Sequence, residues 1–188
     1  MVTKQRSVAP FAAIGVFVGA LVPLLFVTAI FADGTWEFNV DTLSALGVSA
    51  SCTAANIFNY TCMCAGLLIA IFGIGKLICK DGLDSVSALF VAVGGLFLIG
   101  VGAFNMDTDY HNWFAWCFFT IIVIGMILSG FADWQNGRTV SAAITIITLG
   151  IMLAAVPGFA LAGIEVIAVF SMCVWLIGQG MSLAFSKS

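Results

Sequence analysis

Charged residues are missing from most of this chain, and their spacing constrains its fold more than any other feature. Six long apolar stretches follow one another, at 12–31, 57–77, 85–104, 113–130, 139–156 and 164–185. Each is close to the length of about 20 residues that a helix needs to cross a bilayer. Charged residues make up only 8 % of the chain, against about 25 % in soluble domains. The sequence therefore predicts an all-α, polytopic integral membrane protein, in which residues 1–188 form a single domain with six transmembrane helices in one bundle.

The basic residues indicate how these helices are oriented. All of them lie at the termini or in or beside every second connection between stretches, and they are Lys4, Arg6, Lys76, Lys80, Arg138 and Lys187. Cytoplasmic loops carry an excess of Lys and Arg. We therefore expect both termini to be cytoplasmic and the other three connections to face outward.

The outward connections are acidic. In or beside them lie Asp33, Glu37, Asp41, Asp107, Asp109, Glu165 and the single histidine, His111. Such a surface attracts cations and repels anions; alternatively, these acids are simply the charges that remain once the basic residues are confined to the other side. The net charge of −3 gives no support for nucleic acid as a partner.

Three of the polar residues suggest catalysis. If the fourth helix starts near Asp107, then Asp107 and His111 share one of its faces. A carboxylate beside an imidazole fixes the tautomer and favours a role as general base. The predicted catalytic set is therefore Ser44 as nucleophile, His111 as base and Asp107 as orienting residue. The alternatives are that Asp109 or Asp107 caps the helix and that His111 is an ordinary interfacial residue.

Further polar residues at this side form the predicted ligand-binding set, which is Asp41, Asn56, Asn59, Asp109, Asn112 and Glu165. Glu165, early in the sixth helix, is expected to face protein or water, or else to lie among the lipid headgroups. Asn56 and Asn59 either join the pocket or cap the second helix, and Asp41 is expected to cap a short helix. No metal site and no cofactor are predicted, because zinc spacings and phosphate loops are missing from the sequence.

Two features concern helix packing. Gly15 and Gly19 are spaced so that they allow close approach of helices, either within the chain or in a homo-oligomer. Gln179, deep in the sixth stretch, is expected to form hydrogen bonds between helices.

The order of the segments resembles the DUF998 family of prokaryotic six-helix membrane proteins. The resemblance lies in Leu-Ser-Ala-Leu-Gly at 43–47, Ile-Phe-Asn at 57–59 and Gly-Ala-Phe-Asn-Met-Asp at 102–107, followed by His111 and Asn112. Two positions depart from the family pattern, with Ala45 in place of Asp and Asn105 in place of Pro, so no acid role falls to position 45. The architecture is also similar to the Frag1/DRAM/Sfk1 group, which includes a lipid-anchor remodelling factor. These resemblances imply the six-helix fold, a place in a prokaryotic cell membrane and no settled activity.

The sequence leaves three functions open. The first is a protein that binds or modifies a membrane lipid at the outer leaflet, with membrane lipids as its partners. The second is a cation or small-solute transporter or channel. The third is a structural or assembly subunit, with partners in a larger membrane complex. Whether the chain is an enzyme is left open by its sequence.

Overall fold

The computed structural model describes residues 9–185, and six α-helices account for most of them. They are α1 (Ala9–Asp33), α2 (Cys52–Cys79), α3 (Gly82–Ala103), α4 (His111–Gln135), α5 (Thr139–Ala155) and α6 (Leu161–Phe185). A 3-10 helix, η1, spans Leu43–Val48 and precedes α2. No strand occurs between residues 9 and 185. Lys4, Arg6 and Lys187, which contribute to the predicted orientation, lie outside the described residues.

Five of the helices, all except α5, are long and apolar enough to cross a membrane. Helix α5 is apolar but has only 17 residues. Large apolar side chains such as Phe31, Val140 and Leu153 project outward with exposed fractions of 82 %, 74 % and 74 %. An apolar outer surface suits lipid rather than water. The predicted all-α membrane fold is thus confirmed.

The helices form a closed ring. Each one packs against the next along the chain, and α6 packs back against α1. Between α2 and α3 the backbones approach so closely that a Cβ on Gly66 would lie 2.6 Å from the carbonyl oxygen of Gly95. Gly19 of α1 similarly faces the carbonyl oxygen of Cys173 in α6, at 2.6 Å from a Cβ built on it. The small residues therefore allow close packing within the chain.

Because neighbouring helices are joined by short connections, the connections gather at the two ends of the ring. Segments 34–51, 104–110 and 156–160 meet at one end, which we call the acidic end because its charged residues are carboxylates. Segments 80–81 and 136–138 meet at the other, which we call the basic end. It carries Lys76, Lys80 and Arg138.

Two helices at the acidic end begin elsewhere than the sequence predicted. Helix α2 starts at Cys52, where the Ser51 hydroxyl accepts a hydrogen bond from the Ala54 amide. Asn56 and Asn59 therefore lie inside the helix and do not cap it. Similarly, η1 is capped by Thr42, whose hydroxyl accepts from the Ala45 amide, and not by Asp41.

Helix α4 begins at His111, so the prediction that Asp107 and His111 share a helix face was wrong. Asp107 lies in the preceding turn because its amide donates to the Asn105 side chain and the Thr108 hydroxyl donates to the Asn105 carbonyl. An Asn side chain that bonds the backbone two residues on favours a turn over a helix. The N-cap position is Tyr110, without a side-chain capping bond, so the capping roles suggested for Asp107 and Asp109 were wrong as well.

Candidate functional site

Ser44 and Glu165 meet at the acidic end although 121 residues separate them. The Ser44 hydroxyl donates to Oε1 of Glu165 at 2.8 Å, and the backbone amide of Leu43 donates to Oε2 at 3.1 Å. Ser44 is buried and Glu165 is half-buried. Glu165 therefore faces protein, as one of its two predicted placements required. These are two of the predicted site residues, and the fold brings them into direct contact.

The segment η1 lies across the acidic end of the ring. Besides the contact with Glu165 of α6, the Asn59 amide of α2 donates to the Gly47 carbonyl at 2.9 Å. The Thr42 hydroxyl lies 3.8 Å from the sulfur of Met106 in the turn before α4. Three elements therefore hold η1 over the centre of the ring.

A cavity lies beneath η1, inside the ring. Its walls come from η1 and from every helix except α5, and Ser44 and Glu165 belong to them. The other lining side chains are apolar apart from two thiols, and they include Val22, Phe58 and Phe118. Its volume is about 70 Å³, as the space open to the centres of water-sized spheres. Along α6 the lining runs from Glu165 to Leu176, a length of about 16 Å.

Trp175 lies in the part of the cavity that is farther from Glu165 along α6. It lines the cavity with an exposed fraction of only 2 %. Its Nε1 is buried and has no hydrogen-bond partner within residues 9–185. Gln179, one helical turn further along α6, already belongs to a polar cluster at the basic end. Trp175 therefore lies between the apolar cavity and that cluster.

His111 is buried, with an exposed fraction of 3 %. Its Nδ1 lies 2.7 Å from the carbonyl oxygen of Phe104. Since a carbonyl only accepts, Nδ1 must carry a proton and donate. Nε2 is buried and has no partner among the described residues. The backbone therefore orients this imidazole, a role that had been predicted for Asp107.

The predicted catalytic set is not joined by hydrogen bonds in the described part of the chain. The Ser44 hydroxyl donates to Glu165, His111 contacts Phe104, and Asp107 is exposed in its turn. Catalysis by Ser44, His111 and Asp107 stays a prediction.

The remaining predicted ligand-binding residues are dispersed over the acidic end. Asp41 accepts from the Glu37 amide at 2.9 Å. Asn59 is half-buried and its Oδ1 is an unpartnered buried acceptor as far as residues 9–185 show. The other three are exposed, namely Asn56, Asp109 and Asn112. No described group of three His, Cys, Asp or Glu residues is arranged to hold a metal ion. Ligand binding by these five residues stays a prediction.

A second polar cluster, which the sequence analysis missed, lies at the basic end. Asp84 of α3 is its centre. Lys76 Nζ lies 3.4 Å from Asp84 Oδ1, and the Arg138 guanidinium donates to both carboxylate oxygens at 2.7 and 2.6 Å. Arg138 also donates to Asp133 at 2.6 Å. Two cations and two anions thus balance, and three of the four are buried.

Gln179 ties α6 to this cluster. Its Oε1 accepts from Lys76 at 2.9 Å, and its Nε2 donates to Asp133 at 2.7 Å and to Ser141 at 3.0 Å. The prediction that Gln179 bonds between helices is confirmed. Burial lowers the pKa of Arg138, but its hydrogen bonds to Asp133 and Asp84 outweigh that effect and raise the pKa above the usual value. The guanidinium therefore stays charged.

The signal for this cluster was present in the sequence but misinterpreted. Lys76, Asp84, Asp133 and Arg138 stand at or near the ends of apolar stretches, and the sequence analysis used the two basic residues only as markers of orientation. Helix α2 instead continues to Cys79, and α3 and α4 carry their acids inside the ring. Charges this close to the bilayer boundary are ambiguous in sequence, because they pair inside the protein as readily as they reach water.

A family model described as "Protein of unknown function (DUF998)" matches residues 13–181. No curated protein and no solved structure matches the chain. The similarity to the Frag1/DRAM/Sfk1 group stays a prediction.

Proposed function

The chain belongs to the DUF998 family, and we propose that it binds a membrane lipid, with the lipid chain in the central cavity and the polar head beside Glu165 and Ser44. The observation that carries this proposal is the combination of one carboxylate with an otherwise apolar cavity. Binding sites for small molecules typically combine an apolar wall with a few placed polar groups that fix orientation.

The cavity supports an apolar chain as occupant. Its walls offer few hydrogen-bonding groups to water, and empty apolar cavities in proteins take apolar ligands in preference to water. In a membrane the abundant apolar ligands are lipid chains. The volume of about 70 Å³ is the space that the centres of water-sized spheres can reach. If it is spread evenly over about 16 Å and the radius of the sphere is added, the cavity corresponds to a tube of about 2.5 Å radius. That width suits one alkyl chain rather than two.

The carboxylate supports a particular kind of head group. Glu165 already accepts from Ser44 and from the Leu43 amide, and a carboxylate has capacity for about four hydrogen bonds. A further donor on the lipid, an ammonium or a hydroxyl, would complete the set. A phosphate or carboxylate placed directly on Glu165 would be repelled. We propose binding rather than chemical modification, because the Ser44 hydroxyl donates to Glu165 and not to His111.

The orientation belongs to the same proposal. Helix α5, with 17 residues, is at the lower limit of a spanning helix. If it spans, the chain crosses six times and both termini lie on one side. The distribution of Lys and Arg then favours cytoplasmic termini, and we propose that the acidic end and its lipid lie at the outer leaflet of a prokaryotic cell membrane.

Native mass spectrometry of the protein released gently from its own membranes tests this proposal. We expect a retained lipid of defined mass, and we expect Glu165→Gln to reduce its retention by about tenfold or more, since a hydrogen bond to a charged group is lost. The matched control is Glu37→Gln, an exposed acid of the same end, which should retain the lipid. Protein without lipid, or equal retention in all three, would contradict lipid binding. A single peak at the mass of a larger complex would favour the assembly subunit.

A further inference from the structure

The central cavity ends part-way through the ring. On each helix that lines it, the lining residue farthest from the acidic end marks where the cavity stops, and these residues are Val18, Ile69, Leu98, Ile122 and Leu176. Beyond these positions α2 continues to Cys79 and α4 to Gln135. The cavity is therefore closed inside the protein and does not run through it.

Phe72 and Met126, which we call the floor, close the cavity at this depth. Phe72 follows the lining residue Ala65 by seven positions and Met126 follows Ile122 by four, so both lie on the inward faces of their helices. Their exposed fractions are 1 % and 0 %, and both belong to the apolar core of the ring. Neither belongs to the cavity wall itself, so their side chains fill the space just beyond it.

The two floor residues lie at one level of the ring. Helix α3 contacts both of their helices there, through the glycines that adjoin them in the sequence. A Cβ on Gly73 would lie 2.5 Å from the amide nitrogen of Ala92, and a Cβ on Gly125 would lie 3.4 Å from the Val91 side chain. The floor is therefore a single packed layer across the ring.

The charged cluster of the basic end lies behind the floor. Lys76 follows Phe72 by about one helical turn, and it donates to the Ser129 hydroxyl at 3.2 Å. Ser129 in turn follows Met126 by three residues, and both polar side chains are buried. An alkyl chain that passed the floor would have to displace groups that already satisfy buried charges, which is costly. The end of a bound chain must therefore stop at the floor.

The depth of the cavity then corresponds to a length of chain. The lining of α6 runs from Glu165 to Leu176, about 16 Å along the helix axis. An extended chain advances about 1.2 Å per bond, so about 12 carbons reach from a head group on Glu165 to the floor. A chain of about 16 carbons would be about 4–5 Å too long.

Building on the proposed lipid site, we propose that the cavity selects its occupant by chain length. The occupant is a single-chain amphiphile with an ammonium or hydroxyl head on Glu165 and about 12 carbons between that head and the floor. Glu165 fixes one end of the chain, and Phe72 and Met126 fix the other. A shorter chain leaves apolar walls without contacts, and a longer chain has to bend or to lift its head away from Glu165.

Competition between dodecylamine and hexadecylamine tests this selection. The two probes carry the same ammonium head and differ only in chain length. They are mixed in equal amounts with delipidated protein in detergent, and native mass spectrometry gives the ratio of bound hexadecylamine to bound dodecylamine. Each amine partitions into the detergent equally in every sample, so a change of this ratio between variants reports on the protein.

Phe72→Ala lowers the floor. It removes a ring from the packed layer and extends the space by about one helical turn, or about 5 Å. We expect the ratio to rise about tenfold or more over the wild-type value, because the longer chain can then extend fully while its head stays on Glu165. Met126→Ala opens the same layer from α4 with a smaller loss of packing, and it should raise the ratio about threefold or more.

The matched control is Phe97→Ala, since Phe97 is a half-buried ring that packs against Trp113 outside the cavity wall. Its ratio should stay within twofold of the wild-type value. Ratios in the floor variants no higher than in Phe97→Ala would overturn selection by length, while dodecylamine binding that is lost in Glu165→Gln would keep the lipid site. If neither amine bound the wild-type protein, the lipid site and this inference would both be overturned.

Discussion

Lys76 Nζ lies 3.4 Å from Oδ1 of Asp84, and both side chains are buried inside the helix ring. Because Arg138 also binds Asp84, this one carboxylate is the ion-pair partner of two cations. Removing one partner of a buried pair leaves uncompensated charge. We expect Asp84→Ala to lower the free energy of unfolding by about 3–5 kcal/mol, measured by denaturation with increasing SDS in mixed micelles.

The matched control for Asp84 is Asp109→Ala, since Asp109 is an exposed acid of a connection. Its substitution should change the free energy of unfolding by about 0.5 kcal/mol or less. Equal effects of the two substitutions would show that the cluster at the basic end does not stabilise the ring.

The fold was largely predictable because the physics of the bilayer acts on long segments. Twenty apolar residues without charge have few alternatives to a spanning helix, and so all six helices were found. Their starts were less predictable. The beginning of α4 depends on a turn held by the Asn105 side chain, and the beginning of α2 depends on the Ser51 cap. Each rests on a single hydrogen bond between a side chain and the backbone, and the pattern of apolar residues does not predict such a bond.

The site was predictable only in part. Ser44 and Glu165 stood out as polar residues at apolar boundaries, but nothing in the sequence says that residues 121 positions apart will touch, since that depends on how the ring closes. Trp175 and the cavity were missed because a Trp in an apolar stretch looks like any other buried residue. Its unpartnered N–H is a property of the packing around it.

The contact of Ser44 with Glu165 should hold η1 against the ring. We expect Ser44→Ala to speed hydrogen exchange of the amides in Leu43–Val48 by about tenfold or more, because a hydrogen bond to a charged acceptor is lost. Hydrogen–deuterium exchange with mass spectrometry of the peptide that covers η1 measures this change.

Asn56→Ala is the control for that experiment, since Asn56 is exposed on the neighbouring helix. Its η1 peptide should exchange at the wild-type rate. If Ser44→Ala also exchanges at that rate, the backbone contacts of η1 alone keep it closed and Ser44 has no part in it.

The orientation can be tested at two positions that flank α5, one before it and one after it. In a chain with its native cysteines replaced, Gly158→Cys reports on the acidic end and Gln135→Cys on the basic end; both positions are exposed. A membrane-impermeant maleimide should label position 158 in intact cells and position 135 only after permeabilisation, because Lys and Arg favour the cytoplasmic side. Labelling of both positions from one side would mean that α5 does not cross the membrane.

Filling the cavity should exclude the lipid chain without unfolding the protein. Ala65 lines the cavity and is 4 % exposed, so Ala65→Leu places three further carbons in the space that the chain would occupy. We expect lipid retention in native mass spectrometry to fall severalfold, while the free energy of unfolding changes by about 1–3 kcal/mol at most. The matched substitution is Ala154→Leu on the exposed face of α5, which should retain the lipid. If Ala65→Leu retained as much lipid as Ala154→Leu, the lipid would have to bind outside the ring, and the apolar walls beneath Glu165 would serve packing alone.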